Sequence, residues 1–401
     1  MRQVIISIML FAVCFNAATL RVATYNILNF PDALGTQRLD DLHIVLEYLN
    51  PDILVVQEMQ NQSGVALLDS VLQDIDNTFT SIPFHDGPGT DNALFYRGER
   101  VDYLSAQYHA TPNRDIAEYR LLITDTQTEL TVFSLHFKAS QGASNEAIRL
   151  QEATILRNRL NTFSMESDFL VAGDFNIYYS DEPAFGMLTD SLQNNNGRLY
   201  DPLSATGYWH ANIDFRAVHT QSTRTQQLPD GGAGGGLDDR FDMMLCSKGL
   251  LDSTDLFLDV DSYTICGNDG AHFNLSINYG NNAAVPSQIA DALYWASDHL
   301  PVLVDITDET APLVEEPLVK VWPNPVEDWA QITFPRHDDF IEARITMTNI
   351  LGQRVFEQRV NDPYGYRFDR NNLPVGIYFL HVMIETHFNT YTYQTRLAVV
   401  K

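Results

Sequence analysis

Carboxylates, carboxamides and histidines recur in this chain at the ends of short apolar runs. Asn26 closes Ala23-Thr-Tyr-Asn26, Glu58 closes Val55-Val-Gln-Glu58, and His136 stands in Ser134-Leu-His136-Phe-Lys138. Asp174 and Asn176 follow in Ala172-Gly-Asp174-Phe-Asn176, Asp242 in Asp238-Asp-Arg240-Phe-Asp242, and Asp298-His299 precede Leu300-Pro301-Val302. Oxygen donors without cysteine suit a hard divalent cation such as Mg2+ or Mn2+, which keeps part of its water shell. Two histidines outside any metal-ligand spacing suit general acid and base work near neutral pH. Phosphoester hydrolysis demands this inventory: charge neutralised at the phosphate, a positioned water, and a proton for the departing oxygen.

Such residues need a scaffold that presents strand ends. Leu20–Leu28 and Asp52–Glu58 read as buried strands, with a helix over Arg38–Leu49 between them and a second over Ser63–Ile75 capped by Ser63. Strands follow at Ala93–Arg97, Tyr119–Asp125 and Glu129–Phe137. A helix over Gly142–Phe163 places Leu150, Ala153, Leu156, Leu160 and Phe163 on one face. Asp168–Asp174, Phe241–Cys246 and Pro301–Ile306 are further buried strands. This succession predicts an α/β fold with a sandwich core. Between Asn176 and Arg240 the signals weaken, and Gly231-Gly-Ala-Gly-Gly-Gly236 reads as a flexible loop, too irregular for a phosphate-binding fingerprint.

The chain has 401 residues and a formal net charge of -27. Residues 319–401 hold nine basic and nine acidic residues, so the whole excess lies in the first 318. That excludes a basic nucleic-acid binder working by general electrostatics, though not an enzyme that meets a polyanion through a metal ion. Arg2, the apolar run Val4–Phe15 and Ala17-Ala18 predict an export signal over residues 1–18; a buried first element is the alternative. No run is long enough for a membrane span. Cys246 and Cys266 remain after the signal, and one disulfide or two buried thiols both fit. No cysteine pattern suits structural zinc.

The ordered set Thr24-Tyr-Asn26, Gln57-Glu58, Leu135-His136, Gly173-Asp174-Phe-Asn176, Arg240-Phe-Asp242 and Ser297-Asp298-His299 resembles the endonuclease/exonuclease/phosphatase superfamily over about residues 20–307. The resemblance implies a two-sheet α/β sandwich of the deoxyribonuclease I-like type. It implies Glu58 as principal ligand of a Mg2+ or Mn2+ ion, with Asn26 and Asp298 beside it. His299 would be the general base, oriented by Asp242; Asp174 and Asn176 would hold the scissile phosphate and the attacking water; His136 would assist the leaving oxygen. For Lys138 and Arg240, two residues from His136 and Asp242, a phosphate contact or plain surface exposure both fit. One position departs from the deoxyribonuclease branch: where a Glu supports the first histidine, this chain reads Gly89-Thr-Asp91-Asn92, leaving Asp91 as a substitute to be tested. An additional Ca2+ at the acidic loops stays open.

After Thr307 the character changes. Residues 308–319 read as a linker, and 320–401 as a small all-β sandwich with Val321-Trp-Pro-Asn-Pro-Val326, Thr348-Asn-Ile-Leu-Gly-Gln-Arg-Val355 and Leu373-Pro-Val-Gly-Ile-Tyr-Phe-Leu380. This stretch resembles the C-terminal sorting domain of the type IX secretion system, which implies contact with that machinery and export through the outer membrane to a secreted or cell-surface location. A generic adhesive β-domain is the alternative. The combined expectation is an exported metal-dependent phosphodiesterase, foremost a nuclease on DNA or RNA. The alternatives are a sphingomyelinase or inositol-phosphate phosphatase on the same fold, or a non-catalytic surface binding protein. Substrate, cleavage polarity and oligomeric state are not decided by sequence.

Overall fold

The strand Phe169–Asp174 shows how alternation makes layers. Leu170 and Ala172 enter one apolar core while Phe169 and Val171 enter another, so both faces of the strand are buried. Asp242–Cys246 divides likewise, Met244 and Cys246 to the first core and Met243 and Leu245 to the second. These apolar runs therefore belong to the middle layer of a stack.

The computed structural model describes residues 19–252, 256–308 and, further on, 320–322, 326, 328–333, 340–349, 353–362, 365–370, 373–386 and 390–400. The export signal over 1–18, and the linker apart from Asp308, lie outside the described residues. The chain divides into two compact units, Met1–Ala311 and Pro312–Lys401.

In the first unit the elements run β1 (Thr19–Phe30), α1 (Leu39–Leu49), β2 (Ile53–Met59), α2 (Gln62–Ile75), β3 (Phe79–Ser81), β4 (Asp91–Arg97), β5 (Val101–His109), β6 (Ile116–Ile123) and β7 (Thr128–His136). There follow α3 (Ala143–Leu160), β8 (Phe169–Asp174), α4 (Pro183–Thr189), β9 (Asp242–Cys246), α5 (Gly249–Asp252), β10 (Leu256–Ile265), α6 (Ser287–Ala296) and β11 (Val302–Asp308). One sheet has the order β10-β11-β1-β2-β4-β3 and the other β5-β6-β7-β8-β9. They face each other through β1, β2, β4 and β11 on one side and β7, β8 and β9 on the other. Helices α1, α2 and α6 pack together on the first sheet, α3 and α4 on the second. This is the expected two-sheet α/β sandwich.

Register then sets the site. β7 and β8 run parallel with His136 opposite Asp174, and β9 runs antiparallel with Asp174 opposite Asp242. The three residues form one row across neighbouring strands, about 5 Å apart. Each shares parity with residues of the inter-sheet core (Val132, Ala172, Met244), so each points into the edge of the gap between sheets. Gly173 keeps β7 and β8 in contact: its φ is 140°, and an added Cβ would fall 2.1 Å from the Leu135 carbonyl oxygen. A buried polar chain ties the sheets together near this edge. Thr24 Oγ1 donates to Gln57 Oε1, Gln57 Nε2 to Ser134 Oγ at 3.0 Å, and Ser134 Oγ to Asn92 Oδ1 at 2.9 Å.

Some expectations shift. The cap of α2 is Asn61, whose side chain accepts from the Gly64 amide, instead of Ser63. β6 begins and ends earlier than Tyr119–Asp125. Strands β5 and β10 and helix α6 had no counterpart in the sequence reading. Both strands lie at sheet edges and are partly exposed, so no continuous apolar run marks them. Cys246 and Cys266 are two separate buried thiols.

The second unit contains β12 (Lys320–Trp322), β13 (Trp329–Thr333), β14 (Phe340–Thr348), β15 (Arg354–Val360), β16 (Tyr366–Asp369), β17 (Gly376–Thr386) and β18 (Thr390–Val399). Antiparallel sheets of order β12-β13-β16 and β15-β14-β17-β18 enclose a core. Alternate residues feed it: Ala343, Ile345 and Met347 from β14, and Tyr378, Leu380, Val382 and Ile384 from β17.

Candidate active site

At the edge of the inter-sheet gap lies a cavity of about 290 Å³ lined by Glu58, His136, Asp174, Asn176, Asp298 and His299, with Tyr178, Gln221 and Gly232 among its other walls. The residues arrive from six chain segments. Glu58, one residue before the end of β2, has a φ of 65° where β1 and β2 lose register, and Asn176 leaves β8 at a φ of 51°. Left-handed backbone at non-glycine residues costs about 1–3 kcal/mol and persists only where the surroundings impose it. A larger cavity, about 570 Å³ beside Tyr48, Tyr263 and Leu303, contains none of the candidate residues.

In one half of the site both nitrogens of the histidine are engaged. His299 Nδ1 donates to Asp242 Oδ2 at 2.7 Å, and Asp242 is fixed by its own amide donating to Thr220 Oγ1. His299 Nε2 lies 2.7 Å from Gln221 Nε2, and the same nitrogen of Gln221 donates to Asp298 Oδ2 at 3.0 Å. A carboxylate only accepts, so the shared atom is an amide nitrogen, and His299 Nε2 accepts from it when the ring is neutral. Burial alone would depress the His299 pKa, but the carboxylates of Asp242, Asp298 and Asp174 outweigh it and hold the imidazole well above its ordinary value.

The other half is bare. His136 Nδ1 has no hydrogen-bond partner; Glu58 Oε1 is 3.9 Å away, and Asp174 Oδ2 lies 3.4 Å from Nε2. Burial, with the positive charges of Arg114, His299 and Lys138, keeps its pKa well below the ordinary value. Asp91 does not support it: Oδ1 accepts from the Gly87 amide and Oδ2 has no partner. Between the halves, burial pushes Asp174 up to about 7, with Asp242 and Glu58 adding to the effect and His299 opposing it. Asn26 Nδ2 donates to both Glu58 Oε1 and Asp174 Oδ2 at 3.1 Å, while its oxygen accepts from the Leu28 amide.

The carboxylates of Glu58, Asp174 and Asp298 thus line one small cavity, with Asp242 behind His299, and Asp298 Oδ1 has no hydrogen-bond partner. Crowded oxygen donors with an orphaned carboxylate oxygen are what a hard divalent cation would satisfy, so the residues fit Mg2+ or Mn2+. Asp298 is seated from outside by the Ala233 amide at 2.7 Å, which gives the glycine-rich run a defined role as the wall behind Asp298.

Lys138 is partly exposed, its ammonium donating to the Ala139 carbonyl beyond the end of β7. Arg240 is a correction. It is fully buried in a two-pronged ion pair with Asp201 and lies against Trp209, so no substrate phosphate reaches it. β9 begins at Asp242, and the alternation that would have placed Arg240 on its face does not extend there. Gln221 and Arg114 escaped the sequence reading. Gln221 sits in the weak-signal loop, where no periodicity points to it. Arg114, on the β5–β6 loop, donates from Nε to Thr90 and has no carboxylate partner among the described residues. Near the cavity, His210, Asp238 and Asp239 also bring ligand atoms within 4.8 Å of one another.

Comparison with known proteins fits this arrangement. A family model described as the Endonuclease/Exonuclease/phosphatase family matches residues 23–299, and one described as a Secretion system C-terminal sorting domain matches residues 320–394. Curated proteins give no match. Among solved structures, D. rerio TDP2 complexed with single strand DNA product is 14% identical, covering 72% of this chain and 99% of that one, with a TM-score of 0.47. The human Nocturnin catalytic domain with bound sulfate is 18% identical over 72% and 94%, with a TM-score of 0.47. An endonuclease/exonuclease/phosphatase family protein from Bacteroides thetaiotaomicron is 16% identical over 73% and 99%, with a TM-score of 0.45. Among the described residues no helix is long and apolar enough to cross a membrane. The chain belongs to the endonuclease/exonuclease/phosphatase family of phosphoester hydrolases and ends in a type IX sorting domain, which marks it for export through the outer membrane to the cell surface or beyond.

Proposed function

We propose that this chain is a divalent-metal-dependent phosphodiesterase whose substrates are nucleic acids, an extracellular nuclease. The observation that carries the reading is the Asp242–His299 pair, 2.7 Å apart, with His299 Nε2 turned into a cavity walled by carboxylates. Asp242 holds the imidazole in the tautomer that leaves Nε2 free to take a proton, and stabilises the imidazolium that forms. His299 is then the general base for a water attacking phosphorus, after the Gln221 amide yields its place at Nε2. Asp174 and Asn176 orient the phosphate and that water. His136, kept neutral, offers a proton or a hydrogen bond to the leaving oxygen.

Glu58 and Asp298 would hold the cation, with Asn26 steadying Glu58 through its Nδ2; the cation when bound supplies positive charge at the phosphate and lowers the repulsion among the carboxylates. The test uses plasmid DNA, RNA, sphingomyelin and inositol phosphates with Mg2+ or excess EDTA, beside a Glu58→Ala control. Metal-dependent loss of nucleic acid, absent in the control, is expected. Release only from the lipid or inositol substrate would move the activity to another phosphoester class. Full activity in EDTA would sink the mechanism.

A further inference from the structure

The cavity wall continues into a row of aromatic rings that the catalytic cluster does not use. Tyr178 lines the cavity and packs edge-on against Phe241, with centroids 4.9 Å apart, and against His210 at 5.2 Å. His210 meets the edge of Tyr208 at 6.2 Å, and Tyr208 stacks on Tyr179 at 5.5 Å with an interplanar angle of 17°. Backbone bonds hold the two segments side by side: Tyr179 and Tyr208 form a β-bridge, and the His210 amide donates to the Tyr178 carbonyl. Despite these contacts Tyr208 is 52% exposed. A ring already ordered by a stack on one side can receive a second flat group with little further loss of rotamer freedom.

The charges beside this shelf narrow what that group can be. Tracking a polyanion needs free cations along its path. Around the site Arg149, Arg224 and Arg240 are buried in ion pairs with Glu182, Asp230 and Asp201. Next to the shelf stand Asp238 and Asp239, the latter 2.6 Å from His210 Nδ1. Arg114 and Lys138, which have no carboxylate partner among the described residues, bear on His136 instead. Arg114 and Lys138 thus place positive charge at the His136 flank, while Asp238 and Asp239 place negative charge beside the exposed ring of Tyr208.

We propose that Tyr208, backed by Tyr179, is a stacking subsite for a planar ring of the substrate whose phosphate occupies the catalytic cavity. The substrate class is a nucleotide phosphodiester, a nucleic-acid end included, whose further phosphates run away from the Tyr208 flank. This rests on the phosphodiesterase reading and adds the means of recognition.

The test compares the dinucleotide TpT with glycerophosphoglycerol, a phosphodiester without rings, using the full chain in Mg2+. Tyr208→Ala raises KM for TpT about tenfold with kcat held, leaves the ringless diester unchanged, and Tyr208→Trp restores the KM. An unchanged KM for TpT, or equal losses on both substrates, overturns the subsite. Calorimetric titration of TpT into the full chain in EDTA separates the two readings. If neither diester is hydrolysed, the phosphodiesterase reading falls, and titration still decides the shelf. Weaker binding to Tyr208→Ala, recovered in Tyr208→Trp, supports it; equal binding by all three proteins overturns it.

Discussion

The two histidines that flank Asp174 have opposite surroundings. His299 is gripped on both nitrogens, by Asp242 and Gln221, and three carboxylates hold its pKa high. His136 has an orphaned Nδ1 and a pKa depressed by burial, with Arg114, His299 and Lys138 adding to the effect. Equal burial therefore yields unequal chemistry: it lowers both pKa values, but only at His299 do neighbouring carboxylates outweigh it. A ring whose affinity for a proton is raised and whose orientation is fixed suits proton abstraction. A ring kept neutral, with an unclaimed nitrogen, suits a contact that forms only with substrate.

The largest expected effect is on turnover. His299→Ala lowers kcat on the best nucleic-acid substrate by about 10⁴, and His136→Ala by about 10². Initial rates at saturating substrate measure both, and equal losses would break the asymmetry.

A second contrast is in stability against pH, read as melting temperature of the metal-free protein in EDTA from pH 5 to 8. His136 has a folded pKa below the ordinary 6.5, so the unfolded chain binds more protons in acid and stability drops as pH falls below 6.5. His299 has a folded pKa above 6.5, so its contribution is complete below 6.5 and is lost as pH rises through the folded value. Asp174, raised to about 7, adds a loss between roughly pH 4 and 7 in the same direction as His299, and is raised further where His299 is removed. His136→Gln flattens the acid side of the curve, and His299→Gln the alkaline side. Identical curves for the two variants would mean the environments are alike.

The smallest effect sharpens the comparison. Gln221→Ala removes one hydrogen bond from His299 and one from Asp298, whose Oδ2 keeps the Ala233 amide. A fall of about fivefold in kcat is expected, the value of the one bond to Asp298, because Gln221 leaves Nε2 during turnover. A loss as large as that of His299→Ala would make Gln221 an equal partner of Asp242.

Much of this was readable from residue order. Buried strands leave clear apolar runs, and a polar residue closing such a run must face the layer edge, so Glu58, His136, Asp174 and Asp242 could be picked out before any fold was known. What alternation cannot see is a residue beyond the last paired position. Arg240 lies two residues before β9 and turns into an ion pair with Asp201, while Gln221 reaches the site from a loop whose path is set by tertiary contacts. The same limit hid β5 and β10, edge strands with one partner and no continuous apolar face.

Gly173 carries a consequence for how this sequence can change over generations. It contacts no substrate and holds no proton, yet the Leu135 carbonyl occupies the space any side chain would need. A mutation there would pry apart the strands that align His136 with Asp174, and the damage would reach the reacting groups through spacing alone. The shelf tyrosines can drift as substrates change, one exposed ring at a time. Position 173 has no neutral neighbour in sequence space, and in a collection of functional variants it would be as silent as the proposed catalytic base.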